Sequence, residues 1–329
     1  MNQIKLPLTL LLGAVAVLVA FVPDKKPVET PRVVVSVPAV VQTKPSVYNI
    51  TTVFPSKYLE YSALVDQLKE WNKQAPEITE LKEYGRTKNN TPCYYLRVGT
   101  PGKPKLLINA GIHGNERLCV AAKMGMIGQY LHDYGRNEEV TWLVNNRDIY
   151  FVPAMSPDTY LNARHVEGVD PNRSYPCPAR PDGYAPTPVK LIMDLTKQHQ
   201  FKAVISSHTF GRIYLTPSLT PRSGSDGIVS LANKMASMSG YRVGSVGSSG
   251  RGNGYDVDWY YMQNACAILV EWGNGPRHEM SYSEVKPELD RNYKAFLLFF
   301  KEAPEVAINY KADDSRPLLN PRRRLLLPN

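Results

Sequence analysis

A histidine and a glutamate stand three positions apart, as His113 and Glu116, in a short turn between two apolar segments. The preceding segment, residues 105–110, is mostly apolar and is typical of a buried strand, whereas residues 117–122 begin a helical pattern. Open α/β sheets place their active sites at the carboxyl ends of strands. Because an imidazole and a carboxylate on one such turn can reach one cation together, this feature predicts an α/β fold with a metal site.

A catalytic zinc ion accepts nitrogen and oxygen ligands and needs three of them from the protein, with one position left open. His208 ends the apolar segment 201–207, which is a second predicted strand end, and it therefore supplies the third ligand. His132 and His199 lie in polar helical stretches, and His278 lies in a loop rich in glycine, proline and arginine. We interpret those three as solvated side chains.

Two further segments carry reactive residue types, Gly-Val-Asp-Pro-Asn-Arg at 168–173 and Ala-Ile-Leu-Val-Glu-Trp-Gly at 267–273. Glu271 closes an apolar strand pattern, so it is either a solvent-exposed edge residue or a general base at the active edge of the sheet. Taken in order, the HxxE turn, the GVDxNR segment, the SxHxxG segment and the glutamate before a glycine resemble the zinc carboxypeptidases of the carboxypeptidase A type, the M14 family. The resemblance extends from about Thr79 to Phe300.

The resemblance implies a role for each matching residue. His113, Glu116 and His208 would bind one Zn²⁺ per chain, and Asp170 would fix the orientation of the first histidine. Glu271 would be the general base that takes a proton from zinc-bound water and passes it to the leaving amine.

Further residues match positions that bind the substrate in this family. Asn172 and Arg173 would receive the C-terminal carboxylate, which suits the planar fork of arginine. Arg164 lies close to the position of an arginine that stabilises the oxyanion. The usual leucine of the GVDLNR motif is replaced here by Pro171.

The loop 247–256 departs from the family pattern. The digestive enzymes carry a mobile tyrosine several residues before an Asp-Trp pair, and the matching position here falls near Arg251. Tyr255 could take over that role, because the glycines around it permit many loop conformations. Arg251 could bind a second substrate carboxylate, such as that of diaminopimelate. Val257 matches a residue that helps to set side-chain preference, and it offers no charge for a basic side chain.

The pattern of apolar residues predicts an α/β fold with a single mixed, mostly parallel β-sheet and helices on both faces, as in carboxypeptidases. Strands are predicted near 79–84, 93–99, 104–110, 148–153, 202–207, 212–216 and 266–271. Helices are predicted near 56–72, 116–133, 188–199, 225–239 and 283–302.

The chain divides into four predicted parts: a signal peptide or N-terminal membrane anchor at 1–22, a proline-rich linker at 23–55, the catalytic domain at 56–302 and a basic tail at 303–329. The apolar segment 6–22 predicts export to the periplasm or the medium, with either cleavage or membrane attachment. The four cysteines, at 93, 119, 177 and 266, do not form a disulfide framework, although one disulfide is compatible with export.

The formal net charge of +9 suits a protein that works among anionic envelope polymers, and no nucleic-acid motif accompanies it. The expected substrates are therefore peptides or the stem peptides of peptidoglycan. Two alternatives remain open from sequence. One is a zinc-dependent deacylase of a small amide, and the other is a non-catalytic zinc-binding envelope module, which the presence of Glu271 disfavours.

Overall fold

The computed structural model describes residues 47–178, 180–181, 184–220, 227–247, 253–275, 278, 280–308 and 310. The predicted signal peptide or anchor, the linker up to residue 46, Arg251 and the tail beyond residue 310 lie outside the described residues. None of the helices in the described ranges is long and apolar enough to cross a membrane.

The described residues form a single mixed sheet, in the order β1-β2-β4-β3-β5-β8-β6-β7. The strands are β1 (Thr79–Arg86), β2 (Pro92–Gly99), β3 (Lys105–Ala110), β4 (Asp148–Val152), β5 (Ala203–Thr209), β6 (Ile213–Thr216), β7 (Arg242–Ser245) and β8 (Cys266–Trp272). The central pairs β4-β3, β3-β5 and β5-β8 are parallel, as is β6-β7, and the remaining pairs are antiparallel. The predicted mixed, mostly parallel sheet is therefore confirmed.

Helices cover both faces of this sheet. They are α1 (Tyr61–Gln74), α2 (Arg117–Asp133), α3 (Glu138–Asn146), α4 (Thr187–His199), α5 (Gly227–Ser239), α6 (Asp256–Met262) and α7 (Val285–Glu302). Helices α4 and α6 pack on one face in a buried cluster that includes Leu107, Val204 and Leu269. The other helices pack on the opposite face, where Ile108 and Ile205 belong to a second cluster. Neighbouring residues of a strand point to opposite faces, which is why both clusters draw on the same strands.

Among the strands and α-helices of the described residues, three were not predicted from the sequence. Helix α3 is capped by Asn137, whose side chain accepts hydrogen bonds from the backbone N–H groups of Glu139 and Val140. This N-cap followed by acidic residues is a signal that the sequence contains. Strand β7 and helix α6 are only four and seven residues long, so neither spans enough residues to show a clear period.

Candidate metal centre and active site

The turn that carries His113 and Glu116 connects β3 with α2, as predicted. Gly114 lies against the backbone of a neighbouring turn, and a Cβ at this position would lie 2.0 Å from the carbonyl oxygen of Thr159. The backbone N–H of Leu161 also donates to the carbonyl of Gly114 at 2.8 Å. The absence of a side chain at position 114 therefore lets a second segment hold the metal-binding turn in place.

Three potential ligand atoms face one another at the carboxyl edge of the sheet. His113 Nδ1 lies 2.8 Å from Glu116 Oε1, and His208 Nδ1 lies 3.0 Å from Glu116 Oε2. All three side chains are buried, and each offers one ligand atom within 4.8 Å of the others. Zinc–ligand bonds of about 2.1 Å in a tetrahedral site place neighbouring ligands roughly 3.4 Å apart. The donor types and the spacing of this cluster therefore fit a zinc ion.

The charges around Glu116 favour its ionised form. Burial alone would raise the pKa of this carboxyl, but His208 and His113 beside it hold the pKa well below its usual range. The backbone N–H of Thr209 also donates to Glu116 Oε2 at 3.1 Å. Glu116 is therefore a carboxylate with both oxygens directed by neighbouring groups, as a metal ligand requires.

Asp170 lies on the far side of the first histidine. His113 Nε2 donates to Asp170 Oδ1 at 2.9 Å, which leaves Nδ1 directed at Glu116. Burial would raise the pKa of Asp170, but the hydrogen bond from His113 and the charge of Arg164 lower it well below its usual range. A carboxylate in this position fixes the orientation of a metal-binding imidazole, which is the role that the resemblance implies.

Arg164 reaches the same cluster. Its Nη2 atom donates to Asp170 Oδ2 at 2.9 Å, and its Nη1 atom lies 3.4 Å from Glu116 Oε1. The side chain is about one-third exposed and lines the cavity described below. The guanidinium thus lies beside the metal ligands, and part of its surface is exposed to solvent.

Glu271 lies on β8 directly beside His208 on β5, and the two residues are register partners in a parallel pair. Its Oε2 atom is buried and has no hydrogen-bond partner among the described residues. Burial raises the pKa of Glu271 to about 7, although the charge of His208 opposes this shift. A carboxyl with a pKa near neutrality and an unpartnered oxygen is suited to proton transfer.

A cavity of about 340 Å³ opens at this point. Its lining includes eight of the predicted site residues, namely His113, Glu116, Arg164, Asn172, Arg173, His208, Tyr255 and Glu271. Part of its wall is apolar and consists of Leu215, Val246 and Leu269. One cavity therefore joins the metal ligands, the unpartnered carboxylate, two arginines and an apolar wall.

Asn172 and Arg173 belong to a short 3₁₀ turn, Pro171–Arg173. Pro171 occupies the first helical position, where a missing N–H costs nothing, so the departure from the family leucine is compatible with this turn. Asn172 is buried, and its Oδ1 atom accepts from the backbone N–H of Asp256 at 2.8 Å. Arg173 donates to the carbonyl of Asn172 at 2.7 Å.

Tyr255 stacks on Arg173 in this structure and lines the same cavity as the metal ligands. The guanidinium carbon lies 4.0 Å from the centre of the tyrosine ring, a cation–π contact. Gly254 permits this approach, because a Cβ there would lie 2.5 Å from the carbonyl oxygen of Arg173. Tyr255 thus holds one face of the arginine that the sequence assigned to substrate binding.

Val257 does not line the cavity, contrary to its predicted place among the substrate-binding residues. It is fully buried in the cluster between the sheet and α6, together with Val246 and Leu269. The first turn of α6 directs this side chain towards the sheet, so its effect on the cavity is limited to supporting the residues that form the apolar wall.

His278 belongs to the site, so its interpretation as a solvated loop residue was wrong. Its Nδ1 atom donates to the carbonyl of Thr209 at 2.7 Å and lies 3.6 Å from Glu116 Oε1. Its ring meets Phe210 edge to face, with the ring centres 5.1 Å apart. A lone histidine in a loop carries no periodic signal, and only the folded chain brings it to the cavity. His199 also departs from the prediction, since it packs against Tyr150 and Phe201.

A comparison of the sequence with protein families agrees with a zinc site at His113, Glu116 and His208. The zinc carboxypeptidase family model, Peptidase_M14, matches residues 64–295. The chain therefore belongs to the zinc carboxypeptidase family.

Individual relatives are distant. Mouse carboxypeptidase A4 is 25% identical over 231 residues, which cover 56% of this chain and 55% of that protein. The chain thus spans about half the length of the curated relatives it matches. A structure of bovine thrombin-activatable fibrinolysis inhibitor in complex with tick carboxypeptidase inhibitor has a TM-score of 0.67 at 18% identity, covering 76% of this chain and 98% of that one. A metallo-carboxypeptidase from Burkholderia cenocepacia has a TM-score of 0.59 at 17% identity, covering 76% and 70%. These two similarities concern the fold.

Proposed function

We propose that this protein is a zinc-dependent carboxypeptidase that hydrolyses the last peptide bond of its substrate. The observation that carries this proposal is the cavity in which the donor atoms of His113, Glu116 and His208 face one another beside the unpartnered carboxylate of Glu271. A metal ligand cluster alone would serve a structural site equally well. The adjacent carboxylate favours hydrolysis, because it supplies the group that moves protons.

A zinc ion held by these three residues would lower the pKa of a bound water to about 7 and polarise the scissile carbonyl. Glu271 would accept a proton at its Oε2 atom and return it to the leaving amine. Arg164 would donate to the oxyanion that develops on the substrate carbonyl. Its one-third exposed guanidinium already faces the ligands, so little rearrangement is needed.

The restriction to a terminal residue rests on Arg173 and Asn172. Arg173 lines the cavity with its guanidinium stacked on Tyr255, so it is held in one plane and retains nitrogen donors for a carboxylate. Asn172 also lines the cavity, although its amide oxygen already accepts from the backbone of Asp256. Arg173 is therefore the principal carboxylate-binding group in this proposal.

The apolar wall of Leu215, Val246 and Leu269 favours a C-terminal residue with an apolar side chain. Among the described residues, the acidic side chains that line the cavity are Glu116 and Glu271, both of which already have roles. A lysine or arginine side chain of the substrate would thus lose its hydration without gaining a partner, which costs several kcal/mol.

A second substrate class, cell-wall stem peptides, is favoured by the net charge of +9. Export, directed by the apolar segment 6–22, belongs to this part of the proposal, because the polymer lies outside the cytoplasm. Specificity for diaminopimelate would depend on Arg251.

The direct test is to incubate the purified protein with a peptide mixture and with digested peptidoglycan, and to identify the products by mass spectrometry. Loss of single C-terminal residues, sensitive to a zinc chelator, is the expected result. Release of a small acyl group from peptides with blocked termini would favour the deacylase. Bound zinc without any product would favour the non-catalytic module.

A further inference from the structure

The second metal-binding histidine has a buried carboxylate behind it. His208 directs Nδ1 at Glu116, and its other ring nitrogen, Nε2, lies 3.9 Å from Asp256 Oδ2. Asp256 is the first residue of α6, and its side chain is fully buried. Asp170 holds the equivalent place behind the first histidine at 2.9 Å. Each histidine of the cluster therefore has its own carboxylate on the side away from the ligand atoms.

The carboxylate of Asp256 is fixed by two hydrogen bonds. Its Oδ1 atom accepts from the backbone N–H of Val257 at 2.7 Å, and its Oδ2 atom accepts from the hydroxyl of Ser206. Ser206 precedes His208 by two residues on β5, so both side chains point to the face of the sheet that α6 covers. Strand and helix together bring the hydroxyl, the imidazole and the carboxylate to one point.

The hydrogen-bond requirements of His208 identify the part that Asp256 plays. When Nδ1 of a neutral imidazole binds a metal, Nε2 carries the proton and needs an acceptor. The amide of Asn172 lies 3.2 Å from Nε2, but its oxygen accepts from the backbone N–H of Asp256. The amide therefore turns its NH₂ group, a donor, towards the ring. The carboxylate of Asp256 is the negative charge that faces Nε2, at a distance of 3.9 Å, and an opposite charge at this distance favours a proton on Nε2.

We propose that Asp256 is a positioning residue that orients His208 and holds its proton on Nε2, so that Nδ1 is available to zinc. The proposal rests on the zinc site of the proposed function. It adds a residue that the sequence motifs did not indicate, because Asp256 lies outside the GVDxNR and SxHxxG segments.

The test is the zinc affinity of the full-length Asp256→Asn variant, measured by competition with a chromophoric chelator. The new side-chain oxygen would remain with the backbone N–H of Val257, so a neutral amide NH₂ would replace the carboxylate that faces His208 Nε2 and its negative charge would be lost. Loss of an outer partner of a metal ligand weakens metal binding by about 10- to 100-fold, and we expect a rise of that size in the zinc Kd.

The matched control is Asp258→Asn, two residues further along α6. Asp258 is equally buried but accepts hydrogen bonds from the backbone N–H and the hydroxyl of Ser218, at 2.6 and 2.8 Å. Its substitution is expected to leave the zinc affinity unchanged. As an independent readout, NMR of the zinc-loaded wild type should show a slowly exchanging Nε2–H proton of His208, and this signal should disappear in Asp256→Asn.

A folded Asp256→Asn variant that binds zinc as tightly as the wild type would overturn this inference while leaving the proposed function intact. Equal weakening in both variants would also overturn it, since the effect would then belong to α6 as a whole. A wild type that binds no zinc would overturn the proposed function and the inference with it. If circular dichroism shows that Asp256→Asn does not fold, Ser206→Ala replaces it. The zinc affinity of Ser206→Ala should also be lower than that of the wild type, by a smaller factor than expected for Asp256→Asn. An unchanged zinc affinity would reject the proposal.

Discussion

His208 and Glu271 are register partners on the adjacent parallel strands β5 and β8. Their side chains therefore project from the same face of the sheet. The backbones of neighbouring strands lie about 4.8 Å apart. Both side chains line one cavity. In the proposed reaction this arrangement would separate two tasks, since β5 would contribute to metal binding and β8 to proton transfer.

Substitution of Glu271 by glutamine should abolish most of the activity without loss of zinc. The amide has nearly the shape of the carboxyl but cannot accept the proton, and general acid–base catalysis contributes about 10²- to 10⁴-fold. A loss in kcat of at least this size is expected, with the zinc content of the purified protein unchanged. Near-normal turnover by the variant would rule out Glu271 as the general base.

The same substitution should change the pH dependence of stability in the metal-free protein. Burial raises the pKa of Glu271 to about 7 in the folded state, so the folded chain holds this proton more tightly than the unfolded chain does. Its contribution to stability is present below pH 4.5 and is lost as the pH rises through 7. The free energy of unfolding of the wild type should therefore fall below that of Glu271→Gln by up to about 3 kcal/mol above pH 7.

Urea unfolding of both proteins in the presence of chelator, at pH values from 4.5 to 8, measures this difference. A constant offset between the two curves would mean that Glu271 titrates in the folded protein as it does in water.

Replacement of His208 by alanine should remove most of the bound zinc, because two protein ligands remain where a catalytic site needs three. Metal analysis of the purified protein should find about one zinc per wild-type chain and much less in the variant. His165→Ala is the matched control, since this histidine is exposed and does not line the cavity. Full zinc occupancy in both His113→Ala and His208→Ala would refute the ligand assignment.

Arg173→Ala should strongly reduce the cleavage of peptides with a free C-terminus. The substrate carboxylate would then enter the cavity without its bidentate partner, and truncation of one member of such a pair costs about 2–5 kcal/mol. Amidation of the substrate should reduce kcat/KM in the wild type to a similar extent and should have little further effect in the variant. Equal rates on free and amidated peptides would indicate an endopeptidase or an amidase.

Arg251→Ala tests the preference for cell-wall peptides. If its guanidinium binds the second carboxylate of diaminopimelate, the variant should lose activity on a stem peptide that ends in this residue. The matched peptide with lysine in its place should be cleaved at an unchanged rate. Equal cleavage rates of both peptides, in the wild type and in the variant, would rule out a role of Arg251 in binding diaminopimelate.

The sequence by itself determined the features that depend on short stretches of chain. The metal-binding turn of His113 and Glu116 follows from an apolar strand, a glycine-containing turn and a helical pattern, all within about twenty residues. The GVDPNR turn is equally local, and the alternation of predicted strands with predicted helices along the chain was enough to predict a sheet covered on both faces.

Only the tertiary structure decided which distant side chains meet. Val257 was expected to contact substrate, but the direction of α6 turns it into the core. His278 and Asp256 reach the cluster from a loop and from a seven-residue helix, neither of which has a periodic signal. Contacts of this kind depend on the register between strands and on how helices pack across the sheet. These are fixed by the burial of many side chains together, so no single segment of the sequence contains them.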